Sequence, residues 1–304
     1  MKIKAVIDIG SNSIKMRAGY KDESGKIIII HDETEVVKLG RGMNLTGMLA
    51  RENMLNALKA LTRMISTAEK LEAEIFIAGT MALRTAKNSN EFIKLVHDST
   101  GRNINILTGL DEAKFSRLGA LDGLGGESSI VFDTGGGSTE FIAGGEKIAS
   151  VPVGAVTITD KFFNDNNRPV YKSEWDAAYK YIHEKMFEYK IQDFKNDSSG
   201  QVIGVGGGLA VMASVKLCED IFMPLKLHGM SITQKDIVKQ AKLYSSLNLS
   251  ERQKIIGLPA SRADVVLGSA CIVLCALRIL EANSCIVSIN GLRHGILISE
   301  CGRG

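Results

Sequence analysis

Proline is scarce in this chain, with 4 among 304 residues against 31 glycines. The glycines cluster after apolar runs, so they read as backbone-lined binding turns and not as loose linkers. Charge of one sign is also lacking. The formal net charge is +3, which gives no ground for a nucleic-acid partner. There is no Cys-x-x-Cys pair, and an odd count of 5 cysteines speaks against a disulfide framework. Cys271 and Cys275 lie four apart in an apolar stretch and should share a buried helix face. Cys218, Cys285 and Cys301 stand alone. The expectation is a cytoplasmic protein with structural thiols. The start, Met1-Lys2-Ile3-Lys4, shows no signal-peptide pattern. The longest apolar run, 265–277, is too short to span a bilayer and is closed by Arg278, so no membrane is expected. His31, His97, His183, His228 and His294 show no ligand spacing, which counts against zinc. The Walker pattern GxxxxGK[ST] is absent.

What the chain does contain is one turn written twice. Residues 5–9 form an apolar run ending in Asp8-Ile9-Gly10-Ser11-Asn12-Ser13. Residues 129–132 lead into Asp133-Thr134-Gly135-Gly136-Gly137-Ser138-Thr139-Glu140-Phe141. Each is a strand, an aspartate, small residues with hydroxyls, and a second strand. Two such turns facing one another would line a cleft for phosphate and a metal.

The length favours two domains. Strands are expected at 3–9, 14–20 and 26–32, a meander that speaks against a dinucleotide-binding domain. A helix over 51–72 follows, with Met54, Leu58, Leu61, Ile65 and Ala68 at helical spacing. Then come a strand at 75–78, a turn through Thr80 and Arg84, a helix at 91–98, a strand at 103–107 and a helix at 111–121. Asp122-Gly123-Leu124-Gly125-Gly126-Glu127 reads as the domain boundary, giving domains 1–124 and 125–304. Beyond it the order restarts: strand, Asp turn, strand at 139–143, hairpin through Gly144-Gly145, strand at 147–151. This similarity points to duplication. Helical regions are expected at 171–194, 209–217, 233–247 and 262–280, and strands at 202–205 and 286–289. Gly206-Gly207-Gly208 makes a third glycine turn, and a short apolar segment ends the chain.

Backbone N–H groups in glycine turns can converge on one oxyanion, and the Ser and Thr hydroxyls add donors. Asp133, Asp8 and Glu140 can hold a divalent ion or orient water. The same turns also serve as plain hairpins with a capping Asp. Glu112 opens a helix beside Asp111 and can act as a base, or simply suit the helix N-terminus. Arg84 can pin phosphate oxygens or form a surface ion pair. Arg262 beside Asp264 can hold a turn.

Together these segments resemble the exopolyphosphatase and guanosine pentaphosphate phosphohydrolase family of the actin-like superfamily, in its short, two-domain form. The residues that carry the resemblance are 5–13, then Gly79-Thr80-Met81-Ala82-Leu83-Arg84-Thr85-Ala86 with Asn88, Gly109-Leu110-Asp111-Glu112-Ala113, and 132–140. Ser261-Arg262-Ala263-Asp264 and Gly291-Leu292-Arg293-His294-Gly295 echo the late motifs. The chain departs from the family pattern at Asp111, usually glutamate, at Leu209, where a threonine usually ends the third turn, and at His294, usually glutamate.

The resemblance implies an α/β fold of two facing actin-like (ribonuclease H-like) domains with mixed sheets and an interdomain cleft. It implies hydrolysis of the terminal phosphate of inorganic polyphosphate, with Glu112 as catalytic base and Arg84 stabilising charge. Phosphate would be held by Gly10, Ser11, Asn12, Ser13, Thr80, Gly135, Gly136, Gly137, Ser138, Gly207 and Gly208. Asp8, Asp133 and Glu140 would hold Mg²⁺, or Mn²⁺ in its place. A homodimer is implied too. Competing readings are hydrolysis of guanosine pentaphosphate in stringent-response signalling, polyphosphate-dependent phosphotransfer, and a non-catalytic polyphosphate or nucleotide sensor.

Overall fold

The computed structural model describes residues 2–126, 128–143, 147–165, 167–197, 200–218 and 224–302. The chain runs β1 (Lys4–Ile9), β2 (Ser13–Lys21), β3 (Ile27–Val36), α1 (Met43–Thr46), α2 (Arg51–Lys70), β4 (Glu74–Gly79), α3 (Met81–Thr85), α4 (Ser89–Thr100), β5 (Asn105–Ile106) and α5 (Gly109–Leu121). It continues through β6 (Ile130–Thr134), β7 (Thr139–Ala143), β8 (Lys147–Val151), α6 (Ala155–Phe162), α7 (Lys172–Glu188), β9 (Val202–Val205), α8 (Gly207–Leu217) and α9 (Pro224–Leu227). The last elements are β10 (Ser231–Thr233), α10 (Gln234–Ser245), α11 (Leu249–Arg252), α12 (Val266–Ile279), β11 (Ser284–Ser288) and α13 (Leu292–Gly302).

These elements form two units, Met1–Gly119 with Leu292–Gly304, and Ala120–Gly291. The sequence reading gave all of 125–304 to one domain. The structure instead returns α13 to the first unit, because Leu292, Ile296 and Leu297 bury against Val6, Ala78 and Leu107.

The first unit's sheet has the order β3-β2-β1-β4-β5. Strand β2 is antiparallel to both its neighbours, and β4 and β5 run parallel to β1. The second unit's sheet has the order β10-β11-β9-β6-β7-β8. Read from β8, it repeats the first arrangement and adds β10 at the edge. The duplication read from two short motifs therefore extends to whole sheets.

Alternation along the central strands decides where the chemistry goes. Ala5, Ile7 and Ile9 pack with Leu61, Met64 and Ile65 of α2, the face expected from helical spacing. Val6 packs on the other side with α13. Asp8 shares the face of Val6 by alternation. In the second unit Ile130 and Phe132 join a core with residues of α8 and α12, which leaves Asp133 on the opposite face.

Helix α12 is buried almost all round, and it starts at Val266 after a 3₁₀ turn over Ala260–Arg262 instead of at Arg262. Cys271, Cys275 and Cys285 are buried, and all 5 cysteines are free thiols. Burial pushes the Cys275 and Cys285 thiols up to about 12, so both stay protonated and unreactive. Helix α6 falls in a stretch for which the sequence reading names no element, and four of its residues in a row, Val156, Thr157, Ile158 and Thr159, are β-branched and weak helix formers. A cap starts it: the Gly154 N–H donates to Thr157 Oγ1 at 2.8 Å. The hairpin tip Gly144-Gly145 lies outside the described residues, and the strands flanking it pair antiparallel as expected. Among the described residues no helix is long and apolar enough to cross a membrane.

Candidate active site

In both units the candidate residues sit where parallel strands end. Asp8 is the penultimate residue of β1, and Gly10, Thr80 and Glu112 follow the ends of β1, β4 and β5. Asp133 is the penultimate residue of β6, and Gly206 and Gly291 follow the ends of β9 and β11. Ligands of open α/β sheets bind at such carboxyl ends.

The repeated turn is one construction made twice. Gly10 N–H donates to Ser13 O at 3.1 Å, and Gly135 N–H donates to Ser138 O at 2.9 Å. In each unit the segment after the third strand then ties down the turn's carbonyls. Val37 and Lys38 N–H donate to Asn12 O at 3.1 and 2.9 Å, and Gly40 N–H donates to Ser11 O at 2.8 Å. At the other turn Ala155 N–H donates to Gly135 O at 2.9 Å. Val156 and Thr157 N–H donate to Gly136 O at 2.8 and 3.2 Å. Among the described residues, the N–H groups of Ser11, Asn12, Gly136, Gly137 and Ser138 donate to no backbone acceptor. Consecutive unspent N–H groups beside anchored carbonyls make an anion cradle. Gly10 and Gly135 differ from the expectation in one respect. Their N–H groups close the turns, so they shape the cradle and do not donate to phosphate.

The covering segments went unread in the sequence, although a signal was present. Val37-Lys38-Leu39-Gly40 and Val151-Pro152-Val153-Gly154 share a V-x-apolar-G pattern two strands after each turn. The glycine is needed for close approach. A Cβ at Gly40 would lie 3.0 Å from Ser11 Cβ, and one at Gly154 would overlap the Gly136–Gly137 peptide. Asn12 is 6% exposed, and both polar atoms of its carboxamide are buried with no partner among the described residues. Such groups call for a ligand or water.

Glu112 and Arg84 come together as a pair. Arg84 Nη1 donates to Glu112 Oε2 at 3.1 Å and to Leu107 O at 2.8 Å. Glu112 is 9% exposed and sits in the first turn of α5. Its neighbour Asp111 turns away to form a cap. Asp111 N–H donates to Thr108 Oγ1 at 3.1 Å, and Thr108 Oγ1 donates to Asp111 Oδ2 at 2.7 Å. The two adjacent acids therefore do not share a site. Thr80 was expected to bind phosphate, but its hydroxyl donates to Ile9 O at 3.2 Å. It braces the strand that enters the first turn.

Asp8 and Asp133 hold equivalent strand positions with different neighbours. Asp8 pairs in register with Lys15, and Lys15 Nζ lies 3.7 Å from Asp8 Oδ2. Asp133 pairs in register with Glu140. Glu140 is 1% exposed and accepts a bond from Ser150 Oγ at 2.8 Å. Two carboxylates side by side on one face of a sheet repel unless a cation or donor sits between them. Among the described residues no cluster of three or more His, Cys, Asp or Glu could hold a metal. A pair of carboxylates suits Mg²⁺, which takes its remaining oxygens from water and substrate phosphate. The second unit thus fits a metal better than Asp8, which already faces an ammonium.

At the third turn, Gly206 has φ of 129°, a conformation that favours glycine. Gly207 faces Arg262, whose Nη1 would lie 2.6 Å from a Cβ there. Burial pulls the Arg262 guanidinium below its usual value, and Asp264 opposes that shift. Gly208 packs against Ser269 of α12, so its smallness serves helix packing. Gly291 lies beside Asp133, with 3.3 Å from a Cβ there to Oδ2, a neighbourhood the sequence reading did not connect.

Comparison with known proteins gives the chain a family. The model of the Ppx/GppA phosphatase family matches residues 18–303. The chain belongs to that family. The match begins after the first turn. Among Ppx/GppA relatives, Exopolyphosphatase 2 of Mycobacterium tuberculosis is 25% identical over 96% of this chain and 95% of its own length. A bifunctional 3-dehydroquinate synthase/phosphatase of Fusobacterium nucleatum is 31% identical over 97% of this chain. The chain spans about half of that relative, 46% of its length. The crystal structure of the Aquifex aeolicus Ppx/GppA family member shares 27% identity, with a TM-score of 0.78 over 99% of this chain and 98% of that one.

Proposed function

We propose that this chain is a cytoplasmic exopolyphosphatase that hydrolyses the terminal phosphoanhydride of inorganic polyphosphate and releases orthophosphate. The observation that carries the reading is Glu112, a buried carboxylate held by Arg84 in the unit that also carries the first anion cradle. The ion pair uses the carboxylate form of Glu112, which is the form that accepts a proton. All 5 thiols are free, in keeping with a reducing compartment.

In this reading each unit offers its own cradle N–H groups to non-bridging phosphate oxygens, Ser11 and Asn12 in the first unit and Gly136 to Ser138 in the second. Glu112 orients a water and takes its proton as the water oxygen bonds to the terminal phosphorus. The bond from that phosphorus to the bridging oxygen breaks, and the shortened chain leaves with the electron pair. Arg84 fixes the Glu112 carboxylate and supplies positive charge near the phosphoryl group. Positioning and charge stabilisation carry most of the rate in such reactions. Mg²⁺, or Mn²⁺ in its place, would be held by Asp133 and Glu140 and would offset the charge of the phosphates.

A chelator is therefore expected to stop phosphate release, and added Mg²⁺ to restore it. Asp133→Asn should raise the Mg²⁺ concentration needed for half-maximal rate by about 10- to 100-fold, the range that a weakened metal shell produces. An unchanged Mg²⁺ titration would remove Asp133 from the metal site.

The test of the function is phosphate release from long polyphosphate, short polyphosphate, guanosine pentaphosphate and ATP with Mg²⁺. Polyphosphate should give the highest kcat/KM. Preference for guanosine pentaphosphate would overturn the reading in favour of a nucleotide phosphatase. Formation of triphosphate from an added nucleoside diphosphate would show transfer, and binding without product would show a sensor.

A further inference from the structure

We propose that Gly295 of the C-terminal helix is a positioning residue for Glu112. The inference deepens the hydrolase reading and rests on it. Helix α13 crosses α5 at backbone contact. A Cβ at Gly295 would overlap the Phe115 carbonyl and lie 3.0 Å from Gly119 N. Phe115 and Gly119 are one helical turn apart, and Phe115 comes three residues after Glu112. Any side chain at 295 must push on the α5 backbone next to the base. The nearest neighbours of that Cβ are backbone atoms, so no rotamer change relieves the overlap.

The other contacts of α13 keep it from yielding. Leu292, Ile296 and Leu297 are buried with Val6 and Ala78 of the central strands, and Phe115 packs on the same cluster. At its start, Arg293 Nη2 lies 2.8 Å from Asp32 Oδ1. Arg293 Nη1 donates to Glu33 O at 3.1 Å and to Thr34 Oγ1 at 3.2 Å. Asp32 is itself gripped by the buried Arg17. Helix α13 is thus a strut that runs from β3 to the back of α5. The start of α5 carries the Thr108 cap and the Arg84–Glu112 pair, so a shift of α5 moves the carboxylate relative to the first turn.

Misplacement of a catalytic group by 1 Å is enough to lower a rate by about 10²-fold. Gly295→Ala is expected to reduce kcat by about 10- to 100-fold, with KM and the dissociation constant for polyphosphate within about twofold. In a Glu112→Gln background the same substitution should change the residual rate by less than about twofold, because there is no base left to misplace. Gly302→Ala, on the same helix but with no atom near its Cβ, should match the wild type. Should Gly295→Ala fail to fold, Arg293→Gln reports on the same strut from its other end and should lower kcat with KM held. A folded Gly295→Ala enzyme with wild-type kcat would overturn the proposal. So would a loss that persists in full in the Glu112→Gln background, or wild-type kcat in Arg293→Gln where Gly295→Ala does not fold. Turnover surviving Glu112→Gln alone would instead sink the assignment of the base, a distinct result.

Discussion

Glu112→Gln is expected to slow phosphate release by about 10²- to 10⁴-fold, the usual contribution of a general base. The amide is nearly isosteric and still accepts a bond from Arg84 Nη1, now 3.1 Å from Glu112 Oε2, so the local structure should hold. What it loses is the ability to take a proton from water. The anion cradles do not include Glu112, so polyphosphate should bind as before, a comparison that equilibrium binding of a labelled chain can make. Loss of binding together with rate would assign Glu112 to substrate contact, and full activity would show that water is activated elsewhere.

The second large effect is expected at Gly154. Its backbone is extended, with φ of −134°, so alanine brings no strain of its own there. The difficulty is purely steric, since a methyl group would enter the Gly136–Gly137 peptide. Either the start of α6 or the turn must move. In both cases the bonds from Ala155, Val156 and Thr157 to the turn carbonyls are lost or weakened. Overpacking of this kind lowers stability by about 1–3 kcal/mol. Gly154→Ala should therefore lower the melting temperature and also weaken polyphosphate binding. Gly40→Ala should act in the same direction more gently, because its nearest neighbour, at 3.0 Å, is the Ser11 side chain. Wild-type binding by a folded Gly154→Ala protein would show that the covering segment does not hold the cradle.

The parts of this arrangement legible in the sequence were those written locally. The two Asp turns, the amphipathic α2 and the buried α12 declare themselves within a few residues. So does the duplication, which reappears as the same strand order in both sheets. The parts that stayed hidden depend on partners far along the chain. Helix α6 is rich in β-branched residues and forms because its first N–H groups find the carbonyls of Gly135 and Gly136. Helix α13 read as a short apolar end, since nothing near it in sequence shows that its glycine meets α5. For the same reason the domain boundary was drawn without the chain's return to the first unit. Thr80 looks like a phosphate ligand by motif, and only three-dimensional contacts show its hydroxyl donating to Ile9 O, while the close packing of Gly208 on Ser269 is equally invisible locally.

The most direct test of the central claim is polyphosphate turnover in ¹⁸O-labelled water without a nucleotide acceptor. Hydrolysis at the chain end predicts one solvent oxygen in each orthophosphate released, with the chains shortening one unit at a time. Release that requires a nucleoside diphosphate, or orthophosphate without the label, would contradict it.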